Sequence, residues 1–290
     1  MKIHILNTGG TLGMVGNPLR PAKSAKELME GLRLPTEIDY TFEDFRLRED
    51  STNWTNADRV EMAESIAKKY ENHDAHILFT GTDSLAETTA TLCMVFKLSM
   101  QKPLIVVGAQ MTKDEPGSDA PKQIADSVRI SNLFSKEHVV GIYSIAMGNV
   151  YDGTRLKKRN ESGFDFLSTP GRAIVAHAYP HIRLEPGIRK RDPKTFVQGL
   201  RLDIRFSSDI ITLYPDADTP PWVIDKIIEG NGEEKISALI FGAKGAGNIP
   251  NRTYKKTGKS LIDMIKLATE KGVVVGILSP FDDGQVDLDR

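Results

Sequence analysis

The sequence predicts an α/β protein of two domains: a larger N-terminal parallel-sheet domain of the flavodoxin-like kind and a smaller C-terminal α/β domain. Three observations carry this. Short apolar runs alternate with amphipathic helical patterns, as expected when strands feed crossover helices of a parallel sheet. The 290 residues are usually divided between two cores. Between two α/β blocks, residues 181–207 are rich in Pro, Arg and Lys, lack strong periodicity and read as a linker. The domains are therefore expected at residues 1–180 and 208–290.

In chain order, the strands are expected at Ile3–Leu6, His76–Phe79, Leu104–Val107, Val139–Ile145, Ala173–Ala176, Ile210–Leu213, Ala238–Phe241 and Val273–Leu278. A helix at Ala57–Tyr70 puts Val60, Ala63, Ala67 and Tyr70 on one face. Thr55-x-x-Asp58 opens it as a capping box. Ser84-x-x-Glu87 reads as the box of the next helix and Ser260-x-x-Asp263 as that of another, which Gly272 closes.

Composition narrows the function classes. A net charge of -1 gives no electrostatic case for nucleic acid or an anionic membrane. The basic cluster Arg189-Lys190-Arg191 is flanked by Glu185 and Asp192 and reads as a solvated surface. Cys93 is the only cysteine, which excludes an intrachain disulfide, and its apolar helical setting suits an inert thiol. Met1 leads directly into a strand without a signal-peptide core, and no apolar stretch is long enough to span a bilayer. A cytoplasmic location is the resulting expectation.

Two segments concentrate the chemistry. Asn7-Thr8-Gly9-Gly10-Thr11-Leu12-Gly13 and Thr80-Gly81-Thr82-Asp83-Ser84 each set a threonine hydroxyl on a glycine turn after an apolar strand. In open α/β sheets, substrates bind where loops leave the carboxyl ends of the strands. Gly9 and Gly10 allow positive φ, and the following Gly13–Pro21 segment has the composition of a lid. After the second turn, Ser84 heads a helix whose positive dipole end suits a carboxylate or an oxyanion, and Asp83 can bind an ammonium group. A third segment, Tyr151 to Asn160, holds Lys157-Lys158-Arg159. Such a run is ordinarily a solvated turn, whereas a buried lysine in it can act as a general base. Paired threonines with an aspartate and a lysine point toward acyl transfer.

Other chemistries find no support. The chain has no phosphate-binding G-x-x-x-x-G-K-[ST] loop, no G-x-S-x-G elbow and no H-E-x-x-H helix. Pro180 between His177 and His181 disfavours a helical metal pair, and His4 reads as a satisfied core residue. Gly245-Ala246-Gly247-Asn248 lacks the full dinucleotide fingerprint.

Taken in order, these segments resemble the bacterial-type L-asparaginase family, closest to its cytoplasmic type I-like members. Thr8-Gly9-Gly10-Thr11 matches the first signature, and Gly81-Thr82-Asp83-Ser84-Leu85-Ala86-Glu87-Thr88 the second. Asp50-Ser51-Thr52-Asn53, Val107-Gly108-Ala109-Gln110-Met111 with Ser118-Asp119, Asp152-Gly153 through Lys158 and Asn160, Gly247-Asn248 and Val286-Asp287-Leu288 extend the match along nearly the whole chain.

The resemblance implies hydrolysis of L-asparagine to L-aspartate and ammonia, with L-glutamine as a second substrate and no metal or organic cofactor. It implies Thr11 as the nucleophile of the first half-reaction, and Thr82, Lys158 and Asp83 as a second triad that polarises water or relays protons. Ser51 and Asp83 would hold the substrate's carboxylate and ammonium groups, with Gly10 and Ala109 lining its site. Asn248 would reach the site of a neighbouring protomer, since the family shares its sites across a dimer and usually forms tetramers. In a homodimer or homotetramer of this kind the partners are small amides and other copies of the chain.

Two departures stand out. Many members place a tyrosine in the lid, where Leu19 falls here, and members continue for several tens of residues past the motif that ends this chain. The second is consistent with a truncated C-terminal domain. These departures motivate one competing reading, a non-catalytic amino-acid-binding protein on the same scaffold. The other reading is the ammonia-releasing subunit of a tRNA-dependent amidotransferase, which normally carries an extra N-terminal domain.

Overall fold

The fold follows from strands that are apolar on both sides. In the computed structural model, which describes residues 1–191, 199–282 and 284–287, five parallel strands form the body of the first unit: β1 (Lys2–Gly9), β2 (Asp39–Glu49), β3 (Ala75–Phe79), β4 (Pro103–Val107) and β5 (Gly141–Ala146). They lie in the order β2-β1-β3-β4-β5. β6 (Asn149–Asp152), β7 (Ala176–His177) and β8 (Arg183–Leu184) extend the sheet antiparallel beyond β5.

Side chains alternate across the sheet. Ile3, Ile5, Ile77, Phe79, Ile105 and Val107 pack on one face against the helix α3 (Ala120–Lys136). Leu6, Leu78, Leu104 and Val106 pack on the other against α1 (Asn56–Lys69) and α2 (Leu85–Phe96). With both faces covered, β1, β3, β4 and β5 read as continuous apolar runs; the edge strand β2 is polar and only partly buried, and the sequence reading missed it.

This strand order has a functional consequence. The chain leaves β1 toward β2 on one side, then returns to lay β3, β4 and β5 on the other. The switch point therefore falls between β1 and β3, and there the loops diverge to open a crevice at the carboxyl ends of the strands. The two threonine turns leave those two strands, so topology makes them neighbours although 71 residues separate Thr11 from Thr82.

The structure divides into compact units Met1–Ile204 and Arg205–Arg290. Residues 183–191, inside the stretch expected to be linker, belong to the first unit: β8 pairs with β7, and the backbones of Arg189 and Arg191 bond those of Val140 and His138. Part of the same stretch, 192–198, lies outside the described residues. In the second unit, β9 (Ile210–Leu213), β10 (Ala238–Gly242) and β11 (Val274–Leu278) form a parallel sheet. The helices α4 (Pro221–Glu229) and α5 (Leu261–Glu270) supply its core with Ile224, Ile228, Leu261, Met264 and Ala268.

Local signals hold in most places. Both bonds of the Thr55/Asp58 and Ser260/Asp263 capping boxes form, and Gly272 follows α5 at φ 78°. The Ser84 box is a correction. Ser84 precedes α2, but its hydroxyl donates to the Ser51 carbonyl oxygen (2.5 Å) and makes no cap. A tertiary partner outcompetes the local one. The strand expected at Ala173–Ala176 shortens and shifts to Ala176–His177.

Candidate active site

The two glycine turns interlock. Gly10 has φ +71°, and a Cβ there would stand 2.3 Å from both Cα and N of Gly81. A Cβ on Gly81 would stand 2.5 Å from the Ser51 hydroxyl oxygen. Neither position has room for a side chain, so backbone meets backbone and three loops converge within one cavity of about 320 Å³. Gly10, Thr11, Ser51, Thr82 and Asp83, all anticipated, line it. So do Met14, Leu19 and Pro21 of the expected lid segment and Asp50 of a matched motif, together with Arg48, Glu49 and Thr112, which sequence reasoning had not placed there.

Each hydroxyl has a distinct environment. Thr11 opens a short 3₁₀ turn (Thr11–Gly13), and among the described residues none hydrogen-bonds its hydroxyl. Thr8, three residues earlier in the signature, donates instead to the Phe79 carbonyl and ties β1 to β3 at 2.8 Å. The Ser51 hydroxyl oxygen accepts from the Ser84 N–H at 3.2 Å, and among the described residues none accepts its proton, which is available to the cavity that Ser51 lines. Asp50 accepts from the backbone N–H and the hydroxyl of Thr52, and these bonds hold its carboxyl below the usual range.

Thr82 sits at the centre of a polar chain. Lys158 Nζ donates to Thr82 Oγ1 at 3.0 Å and to Asp83 Oδ1 at 2.5 Å. Lys158 comes from the two-residue strand Lys157–Lys158, which pairs with Leu167–Ser168. Its side chain is mostly buried while Asp83 is half exposed, and of this chain Thr82 and Asp83 line the cavity whereas Lys158 is joined to it through them. The solvated-turn alternative fails for Lys158 but describes Arg159 well, which reaches outward to Asp165.

The residue sequence reasoning undervalued is Gln110. Its side-chain oxygen accepts from the Thr82 hydroxyl at 3.1 Å, and its side-chain N–H groups donate to the carbonyls of Glu161 (2.7 Å) and Gly163 (3.1 Å). Its signal was present in Val107-Gly108-Ala109-Gln110, a glycine turn following an apolar strand. Ala109, expected at the substrate, is fully buried and is absent from the cavity lining. Asn248 belongs to the second unit, where its backbone pairs reciprocally with Lys244 across a turn.

The remaining candidates resolve as structure. The expected lid is a small hairpin in which Met14–Val15 pairs with Arg20–Pro21, pinned by the Gly16 N–H donating to Asp114 at 2.7 Å. Burial pushes the Cys93 thiol up to about 12, which leaves it unreactive. His177 bonds Asn149 and faces Glu185. Of the final motif, Leu288 lies outside the described residues. Among the described residues no helix is long and apolar enough to cross a membrane.

Comparison with known proteins agrees with this geometry. Residues 2–186 match the family model described as Asparaginase, N-terminal. L-asparaginase 1 of Escherichia coli K12 is 24% identical over 99% of this chain and 82% of that protein. A glutamyl-tRNA(Gln) amidotransferase subunit of Pyrococcus horikoshii is 25% identical over 99% of this chain and 64% of that protein. The solved thermostable L-asparaginase from Thermococcus kodakarensis superposes with a TM-score of 0.83 at 23% identity, over 100% of this chain and 83% of that one. With the family model spanning well over half of its length, and with the signature turns meeting at the switch point of the sheet, this chain belongs to the asparaginase family.

Proposed function

We propose that the chain is an L-asparagine amidohydrolase working through a threonine acyl-enzyme. The observation that carries the reading is the convergence of Thr11 with the Thr82–Lys158–Asp83 chain at one cavity. Thr11 Oγ attacks the side-chain carbonyl of the substrate, its proton passes to the departing nitrogen, and ammonia leaves. Water then cleaves the ester to release aspartate and restore the hydroxyl. Splitting the hydrolysis in this way replaces one difficult step by two easier ones. Thr82 and Lys158 orient the water or pass protons. The Ser51 hydroxyl proton binds the α-carboxylate, and Asp83 the α-ammonium. L-Glutamine is a second candidate, since one added methylene is worth only about 1–3 kcal/mol in discrimination. No metal or organic cofactor enters this scheme.

The reading extends to assembly and location: a cytoplasmic homodimer or homotetramer in which Asn248 serves the neighbour's site. The competing reading is an ammonia-releasing amidotransferase component, favoured by the similarity to the Pyrococcus protein. A non-catalytic amino-acid binder is the third, and it has no use for the Lys158–Thr82 contact.

Ammonia release from L-asparagine and L-glutamine by the purified chain, beside Thr11→Val and Thr82→Val, separates these. Turnover in the parent, lowered by at least about 10³-fold in both variants, supports the amidohydrolase. Binding of asparagine by calorimetry without turnover of either amide refutes it. Turnover of glutamine that appears only with an amidotransferase partner supports the competing reading.

A further inference from the structure

The hydrogen-bond donors around Thr82 leave a single consistent arrangement of protons. Lys158 Nζ carries donors only, so Thr82 Oγ1 accepts from it. The two carbonyls of Glu161 and Gly163 accept only, so the end of the Gln110 amide that meets them is the NH₂ group. The amide oxygen is thereby turned to Thr82 and receives its hydroxyl proton. Thr82 has one proton, and Gln110 holds it.

Gln110 is itself fixed at its root. Asp119, 3% exposed, precedes α3 but makes no side-chain cap. Its carboxylate accepts from the N–H of Gln110 (3.0 and 3.1 Å) and of Met111 (3.0 Å). On the other side, a Cβ on Gly108 would stand 2.9 Å from the Thr80 carbonyl and 3.0 Å from Thr82 Cγ2, so this loop lies directly against the threonine turn. Both the backbone and the amide of Gln110 are specified.

We infer that Gln110 is a positioning residue for Thr82. It sets the Thr82 hydroxyl so that its proton points away from Lys158, leaving an oxygen lone pair free to accept from a group in the cavity. It also braces the Glu161–Gly163 turn, three to five residues beyond Lys158. Thr82 therefore enters the reaction as a hydrogen-bond acceptor toward the cavity, with its own proton directed to Gln110. The role in turnover rests on the amidohydrolase reading; the proton arrangement does not.

Two measurements test this. The first is the Gln110 side-chain amide by NMR, assigned by its loss in Gln110→Met. Slow hydrogen exchange, with a resonance that moves in Thr82→Val, is expected. Exchange as fast as in a solvent-exposed glutamine overturns the inference, whether or not the protein turns over. A protected amide in a protein that hydrolyses neither asparagine nor glutamine upholds the proton arrangement and defeats the amidohydrolase reading instead.

The second is kinetic. Gln110→Met is expected to lower kcat by about 10-fold or more, with KM within about threefold of the parent. Gln110→Glu supplies a conservative rescue. Protonated, its carboxyl donates to one of the two carbonyls and accepts from Thr82; ionised, it faces both carbonyls with no proton to give. Its activity relative to the parent should therefore rise at least about threefold between pH 8 and pH 5. A ratio that is flat across that range, or a parental kcat in Gln110→Met, overturns the role.

Discussion

Acidification should destabilise this protein through a buried histidine cluster within its sheet. His4 on β1 and His76 on β3 are register partners in the sheet, and both are essentially inaccessible. Their Nδ1 atoms lie 3.2 Å apart, and His4 Nε2 meets Glu43 Oε2 on β2 at 3.2 Å. The carboxylate only accepts, so His4 Nε2 carries a proton and His4 Nδ1 accepts from His76. That leaves His76 Nε2 as a buried lone pair with no partner among the described residues. His73 bonds the Lys69 carbonyl and the Thr41 hydroxyl, and its ring stands 5.4 Å from that of His4. Tyr70 stacks on His76, while Lys69 and Lys102 add positive charge from neighbouring elements.

Adding a second proton to either sheet histidine buries a cation among others. Burial is the main cause that lowers His4 to about 4, opposed in part by Glu43, and burial likewise holds His76 well below its ordinary value. Unfolded, both titrate near 6.5. Between these values the unfolded chain binds protons that the native state refuses, so the contribution is complete above pH 6.5 and is lost as pH falls toward 4. For His4 alone the 2.5-unit difference amounts to about 3 kcal/mol, and His76 acts in the same direction.

The assay is urea unfolding between pH 7.5 and 4.5 of the parent beside His4→Gln, which keeps a donor for Glu43 but cannot titrate. The parent's stability should fall by about 1.4 kcal/mol per pH unit more steeply than that of the variant below pH 6.5. Parallel pH dependences would refute the reasoning.

Two further outcomes are expected. Gly10→Ala combines positive φ with a Cβ 2.3 Å from Gly81, and should cost several kcal/mol and abolish activity; Gly31→Ala, at φ +79° with nothing within 4 Å, should cost about 1 kcal/mol. Equal shifts in Tm for the two would show that the interlock is absent. Leu19 is half exposed at the cavity where the family commonly has tyrosine, so Leu19→Tyr should raise kcat for asparagine by roughly 10-fold through a hydroxyl able to assist Thr11, and steady-state ammonia release showing no gain would rule that out.

Much of this molecule could be read in its residues. Apolar runs predicted the inner parallel strands because a strand covered on both faces has no polar side to show, whereas the exposed edge strand β2, rich in charged residues, gave no such run. Thr55 with Asp58 and Ser260 with Asp263 predicted helix starts because a capping box needs only four consecutive residues. The glycine turns marked the threonines because positive φ and close backbone contact exclude other side chains. Arguments of this kind concern near neighbours in the chain. Ser84 shows where they stop: the same four-residue pattern was present, yet its hydroxyl went to Ser51, 33 residues away.

The sequence by itself therefore determined the inner strands, the family motifs and the residue types available for chemistry. Tertiary structure decided which of them meet. It drew Lys158 out of a run of three cations and set it against Thr82, although nothing local distinguishes it from Lys157. It turned Gln110 from a loop residue into the acceptor of the Thr82 proton, and brought His4 beside His76. The reason is physical: a hydrogen bond between residues 28 or 76 positions apart depends on strand order and loop path, and those are set by the whole core rather than by any local segment.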